Sequence, residues 1–233
     1  MASTGSADTP TAVIFDYGGV LTTPVRDSIA AWLRRDGIRP ESFSRTLKAW
    51  MSRSVPVGTP VHRLETGELP VADFERCLAA ELATHDGSPV VAPGLLSRLF
   101  AGTRVEPDMV GLVRELRALG LRTVLLSNSW GDTYPRELLD ELFDGVVISG
   151  EVGLRKPDPL IYRRALESAG AQAHRAVFVD DAGPNVEAAA ALGLHALLHT
   201  DPADTRRRLA ALIPGLSPAA ARPGPDQTPN AAG

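Results

Sequence analysis

The stretch that decides the fold is "VIFDYGGVLT", Val13 to Thr22. Three apolar residues, two β-branched and one aromatic, run straight into one acid, Asp16, and the chain then turns on Gly18 and Gly19. A short continuous apolar run without alternation is the pattern of a strand covered on both faces, as in a parallel sheet. A carboxylate at its end sits where such sheets bind ligands, beyond the carboxyl ends of the strands. Glycine beside it lets the backbone approach a ligand closely.

Working outward, the same kind of run recurs as "AVIF" from residue 12, "RTVLLS" from 122, "GVVIS" from 145 and "AVFVD" from 176, with a weaker "HALLH" from 195. Helical patterns separate them. "PDMVGLVRELRALG" places Val110, Val113, Leu116 and Leu119 on one side and closes on Gly120; "PDPLIYRRALESAG" opens on prolines and closes on Gly170. Both read as helices with glycine just past the end. "NVEAAAALG" and "DPADTRRRLAALI" follow the later strands. Alternating strands and helices predict an α/β fold with a Rossmann-like, mainly parallel sheet.

Between Thr22 and about Glu106 the rhythm breaks. "VRDSIAAWLRRDG", "ESFSRTLKAWMSRS", "VADFERCLAAEL" and "PGLLSRLFAG" are helical patterns set apart by glycine and proline. The expected organisation is an α/β core of residues 11–22 and 106–213, a helical cap of residues 23–105 inserted after the first strand, and loose tails at 1–10 and 217–233. Trp32 and Trp50 fall on apolar helical faces inside the cap. Trp130 is a candidate lining residue of a pocket, and Cys77, near Phe74, Leu78 and Leu82, reads as a small core residue.

Composition bounds the function. The 233 residues are 44% hydrophobic and 22% charged, with a net charge of −4, ordinary for a globular protein. No basic patch marks a nucleic-acid partner; Arg206 to Arg208 reads as the solvated face of a helix. No apolar stretch is long enough to span a bilayer. The first residues carry no pattern of an export signal, and a single cysteine, Cys77, makes no internal disulfide, so a cytoplasmic location is expected. The five histidines show no ligand spacing.

The strand ends hold the chemistry. Asp16 closes the first strand, Ser127 and Asn128 follow the second, Asp180 and Asp181 close the fourth, and Lys156 lies in "RKPDP" between them. Parallel neighbouring strands would bring these groups to one rim. Three crowded carboxylates repel, and one would take up a proton unless a cation relieves the conflict. Hard oxygen donors suit Mg²⁺. With Lys156 as a second positive charge, and Ser127 and nearby amides as donors, the rim suits a phosphoryl group. A carboxylate can attack phosphorus there and form an aspartyl-phosphate. Ser127 and Asn128 could otherwise cap a helix, Arg155 and Lys156 could be solvated charges, and Asn185 is expected to brace its loop or cap the helix.

"FDYGGVLT", "LLSNS", "GLRKPDPLIY" and "VFVDDAGPNVEAAAALG", in that order, resemble the four motifs of the haloacid dehalogenase superfamily, over about residues 11 to 213. The helical insertion resembles that family's type 1 cap. "LETGELPVADF" and "DDAGPN" are similar to phosphatases of the glucose-1-phosphatase type and to the phosphatase domain of soluble epoxide hydrolases. The resemblance implies that Asp16 is the nucleophile and a metal ligand, and that the carbonyl of Gly18 is a second ligand. It implies that Ser127 and Asn128 hold phosphate, that Lys156 bridges nucleophile and phosphate, and that Asp181, with Asp180 direct or through water, completes an Mg²⁺ site.

Gly18 departs from the family pattern, which places a general acid and base aspartate there. Proton transfer of that kind is worth about 10²–10⁴-fold. The expected function is an Mg²⁺-dependent phosphatase acting on a small phosphorylated metabolite. Its substrate would leave easily, as an anomeric sugar phosphate does, or take its proton from its own hydroxyl or from a cap residue. Two alternatives stand beside it. One is a 2-haloacid dehalogenase, whose first motif also lacks the second aspartate; the other is a non-catalytic binding protein that keeps the fold.

Overall fold

A computed structural model of the chain describes residues 9–51, 58–131 and 134–219. The expected tails at 1–10 and 217–233 fall almost wholly outside the described residues. Five strands form one parallel sheet: β1 (Ala12–Phe15), β2 (Arg122–Ser127), β3 (Gly145–Ile148), β4 (Ala176–Asp180) and β5 (His195–Leu198), in the order β3-β2-β1-β4-β5. All four pairings are parallel, and in register Phe15 sits beside Leu125 on one side and Val179 on the other.

The helices are α1 (Val25–Arg35), α2 (Pro40–Met51), α3 (Pro60–Glu65), α4 (Val71–Glu81), α5 (Leu95–Phe100), α6 (Pro107–Ala118), α7 (Arg136–Leu142), α8 (Ser149–Val152), α9 (Pro159–Ala169), α10 (Gly183–Ala191) and α11 (Pro202–Leu212). β1 alternates between two cores, because successive strand residues point to opposite faces. Val13 and Phe15 pack with α6 and α11 through Met109, Val113, Leu116 and Leu209. Ala12 and Ile14 pack with α9 and α10 through Ile161, Tyr162, Ala165 and Ala189. A sheet covered on both faces by helices is the layered α/β arrangement expected from the apolar runs. No helix among the described residues is long and apolar enough to cross a membrane.

Helices α1 to α5 all lie between β1 and α6 in the chain and build a separate apolar cluster. Trp32, Phe43, Val61, Leu64, Phe74, Leu78, Leu95 and Leu99 are among its buried members, and Trp50 and Trp130 pack against it. Two isolated bridges close segments of this insertion, Thr22 with Val105 and Ile38 with Thr84. Glu75 is buried within it and accepts from the amides of Gly94 (3.0 Å) and Leu96 (2.9 Å), capping the start of α5.

Four readings of the sequence change. Cys77 is exposed, not core: α4 buries the stripe Phe74, Leu78 and Ala79, and residue 77 lies off it. Leu119 is exposed at 41% because it caps the end of α6 where the chain leaves the helix, while Leu112 takes the buried position. Arg206 is buried and pairs with Glu115 at 2.6 Å rather than standing on a solvated face. The third strand stops at Ile148, and Ser149 opens the short α8. Helices α3, α7 and α8 span only 6, 7 and 4 residues, too short for a periodic signal.

Candidate active site

β1 is flanked by β2 and β4, whose connections run to opposite sides of the sheet. The carboxyl end of such a switch point is where open α/β sheets bind ligands. Asp16 follows β1, Ser127 ends β2 and Asp180 ends β4, so three groups distant in sequence meet there. The amide of Asp16 donates to the Val179 carbonyl at 2.9 Å, extending the β1–β4 ladder by one residue and fixing where the carboxylate stands.

Lys156 reaches this rim from the loop before α9. It is 1% exposed, and its Nζ donates to Asp16 Oδ1 (2.7 Å), Asp180 Oδ2 (2.6 Å) and the Leu126 carbonyl (3.0 Å). All three ammonium hydrogens therefore have a partner. Burial works against the charged lysine, but Asp16 and Asp180 outweigh it and the net shift of its pKa is upward.

The acids are not equivalent. Asp180 is fully buried; its carboxylate also accepts from the Asn185 amide at 3.1 Å on each oxygen and from the Ala182 backbone at 2.8 Å. Asn185 thus braces the loop, as the sequence suggested. Asp181 is more exposed and faces the cavity described below. Burial pushes the Asp16 carboxyl up to about 7 against the pull of Lys156, with Asp180 and Asp181 adding to the rise. Burial, then Asp180, also raises Asp181. One lysine is too little for three acids.

Ligand oxygens of Asp16, Asp180 and Asp181 all lie within 4.8 Å of one another. Three hard oxygen donors carrying more negative charge than the protein neutralises suit a divalent cation such as Mg²⁺. Gly18 lines the same cavity. Gly19, with φ +80°, is the glycine that its backbone demands: a Cβ there would strike the Asp181 carboxylate. Gly18 is under no such constraint, since a Cβ would meet only Val25 Cγ2 at 3.5 Å.

The phosphate-side candidates divide. The Ser127 hydroxyl is 2.9 Å from the Tyr134 hydroxyl, a partner the sequence reading missed. Tyr134 titrates high, at about 12, because it is buried. The Asn128 side chain does not point free into the site. Its Oδ1 accepts from the Lys156 amide (2.8 Å) and its Nδ2 donates to the Lys156 carbonyl (3.0 Å).

The most connected residue absent from the sequence reading is Glu65, at the end of α3. It is 2% exposed. Its carboxylate accepts from Arg155 Nε (2.6 Å), Trp130 Nε1 (3.0 Å) and Asn128 Nδ2 (3.4 Å), and its carbonyl accepts from the Ser149 hydroxyl. It joins the helical insertion to the loops after β2 and before α9. Its one sequence signal was its place in "LETGELPVADF".

These groups open onto a cavity of about 1010 Å³. Asp16, Gly18, Ser127, Lys156 and Asp181 line it together with residues of α1, α2 and α5, and Trp130 is among the lining residues.

The mouse protein acyl-CoA dehydrogenase family member 10 is 31% identical over 209 residues, covering 87% of this chain but 19% of its own length. The chain thus spans about a fifth of that relative. The sesquiterpene phosphatase astK of Aspergillus oryzae is 30% identical over 208 residues, covering 87% of this chain and 96% of its own. In fold, the chain is similar to a HAD-family enzyme of Bacteroides thetaiotaomicron solved with magnesium and inorganic phosphate (TM-score 0.62, 19% identity, covering 82% of this chain and 94% of that one). A family model described as haloacid dehalogenase-like hydrolase matches residues 10–193. With its acids and lysine gathered at the switch point and that match spanning most of its length, the chain belongs to the haloacid dehalogenase-like hydrolases.

Proposed function

We propose that the protein is a magnesium-dependent phosphatase that hydrolyses a small phosphate monoester through an aspartyl-phosphate on Asp16. The observation that carries this reading is the buried triad of Asp16, Lys156 and Asp180, with Asp181 beside it, at the carboxyl edge of the sheet. The astK relative, a named phosphatase that aligns along nearly its whole length, supports the same activity.

In this reading an Asp16 oxygen attacks phosphorus, the ester P–O bond breaks, and the leaving alkoxide takes a proton from solvent water; the hydroxide so formed is neutralised by the proton that the hydrolytic water sheds in the second step. Water then attacks the phosphorus of the aspartyl-phosphate, which releases inorganic phosphate and restores the Asp16 carboxylate. Lys156 holds Asp16 in line and offers positive charge to the phosphoryl oxygens. Ser127, oriented by Tyr134, donates to one of those oxygens. Asn128 acts through its double hydrogen bond to the Lys156 backbone. Asp16, Asp181 and the Gly18 carbonyl would hold Mg²⁺, with Asp180 in support. The ion, when bound, neutralises phosphoryl charge. Gly18 offers no acid to the departing alcohol. The helical insertion, residues 23–105, acts as the cap that closes the site, and a cytoplasmic setting, supported by the single cysteine, completes the reading.

Hydrolysis of an aryl phosphate tests it. Activity should fall by more than about 10⁴-fold in Asp16→Asn and should vanish with chelator. Intact-mass spectrometry of the wild type should trap a phosphoryl adduct that Asp16→Asn lacks. Halide release from a 2-haloacid, unaffected by chelator, would instead favour the dehalogenase reading that Gly18 motivates. The crowding of Asp180 and Asp181 works against that reading, because a carboxylate substrate would be repelled.

A further inference from the structure

Much of the cavity wall has a different character. Ile29 of α1, Leu47 of α2, Phe100 of α5, Val105 and Trp130 line it, and Val25 of α1 lies beside Gly18. Met51, at 47% exposure, and Val105, at 40%, are among the large apolar side chains that the described structure leaves open, and both border this one cavity. Polar side chains in the wall are mostly already engaged. Glu65 is held by Arg155, Trp130 and Asn128, and Arg104 donates to the carbonyls of Ala101 and Thr103. Two buried polar atoms of the wall have no partner among the described residues, His62 Nδ1 and Thr103 Oγ1.

A sugar fits this wall poorly. Each of its hydroxyls needs a partner, and an unpaired buried one is costly; this stretch of wall is built mainly from Val, Ile, Leu, Phe and Trp side chains. A hydrocarbon needs none and gains from every apolar atom that leaves water. The volume, about 1010 Å³, also exceeds what a two- or three-carbon phosphate fills, since pockets of roughly 300–1,000 Å³ serve drug-sized ligands.

From this wall we infer that the substrates are monophosphate esters of long apolar alcohols, with the phosphate at Asp16 and Lys156 and the hydrocarbon along α1, α2 and α5. The inference rests on the phosphatase reading and departs from the sugar phosphate expected from sequence. Because Gly18 supplies no proton to an alkyl leaving group, turnover of such esters is slow, and affinity is the primary readout.

The test is calorimetric titration of the Mg²⁺-loaded protein with n-alkylphosphonates from butyl to dodecyl, alongside steady-state hydrolysis of the matching alkyl phosphates and of glucose 6-phosphate. Kd should fall about fourfold per added methylene until the cavity is filled, and kcat/KM should rise in step. Ile29→Asn and Leu47→Gln should flatten that slope, weakening dodecylphosphonate far more than butylphosphonate. A flat series in the wild type, or faster turnover of the hexose phosphate than of dodecyl phosphate, overturns the inference. If no ester is hydrolysed but the phosphonate slope is present, the phosphatase reading falls and the apolar site stands. If esters are hydrolysed without a slope, the apolar site alone falls.

Discussion

Two buried carboxylate–cation assemblies sit a few residues apart in this molecule and do different jobs. At the sheet rim, Asp16 and Asp180 share Lys156 at 2.7 and 2.6 Å, with Asp181 nearby. Beneath the helical insertion, Glu65 meets Arg155 at 2.6 Å and two neutral donors, Trp130 and Asn128. The second is balanced: one negative charge, one positive, and donors on the remaining lone pairs. The first has more acid than base: burial, helped by Asp180 and Asp181, pushes Asp16 up to about 7 against the pull of Lys156. Buried charge that the fold itself satisfies reads as a joint; buried charge left over reads as a place for something else to bind.

Replacing Lys156 should show this contrast most strongly. Lys156→Met leaves two buried acids without their cation, and we expect a loss of about 3–5 kcal/mol in urea unfolding, partly recovered when Mg²⁺ is added. The next effect sharpens the rim alone. Gly18→Asp fits the available space and should raise turnover of an alkyl phosphate by about 10²-fold or more in steady-state assays. Gly19→Ala, by contrast, must adopt a left-handed φ at a cost of about 1–2 kcal/mol and displaces Asp181, so its Mg²⁺ affinity in calorimetry should drop while Gly18→Asp keeps its own.

The joint should respond more gently. Glu65→Gln keeps an acceptor for Trp130, and Arg155, with a side chain 22% exposed, can turn to water; a loss of about 1–2 kcal/mol is expected, with KM rising more than kcat falls. If Glu65→Gln costs more stability than Lys156→Met, the contrast between joint and site is reversed. The smallest effect lies far from both. Burial tends to raise the Asp36 carboxyl, but hydrogen bonds from Arg98, Arg35 and Trp32 prevail and lower it. That stability is present above the ordinary carboxylate value of 3.8 and is lost as pH falls through the lower folded value. Asp36→Asn should therefore cost about 1 kcal/mol near neutrality and nothing in strong acid, read as the melting difference across pH.

What the sequence made legible follows from range. The strands were readable because burial on both faces writes itself into contiguous apolar residues, as in Ala12–Phe15 and Ala176–Asp180. The convergence of Asp16, Ser127, Lys156 and Asp180 followed from placing groups at the ends of parallel strands. Glu65 was not readable as a hub, because its partners lie 63, 65 and 90 residues further along and no local pattern encodes that docking. Leu119 and Cys77 were misread for a related reason. Spacing fixes a helical face only where the helix continues and only relative to the side that packs. Apart from Trp130, the apolar wall of the cavity was hidden: Ile29, Leu47 and Phe100 looked like ordinary core of a helix, and only assembly leaves them facing the cavity.

The side-chain amide of Asn128 holds both the N–H and the C=O of Lys156. It stands in for the peptide of a neighbouring strand, so a side chain splices the lysine's loop to the end of β2 across 28 residues of chain. Lys156 consequently takes its address from residue 128 rather than from its own loop. The serine-bearing turn and the lysine are thereby fastened to each other through both polar atoms of one amide.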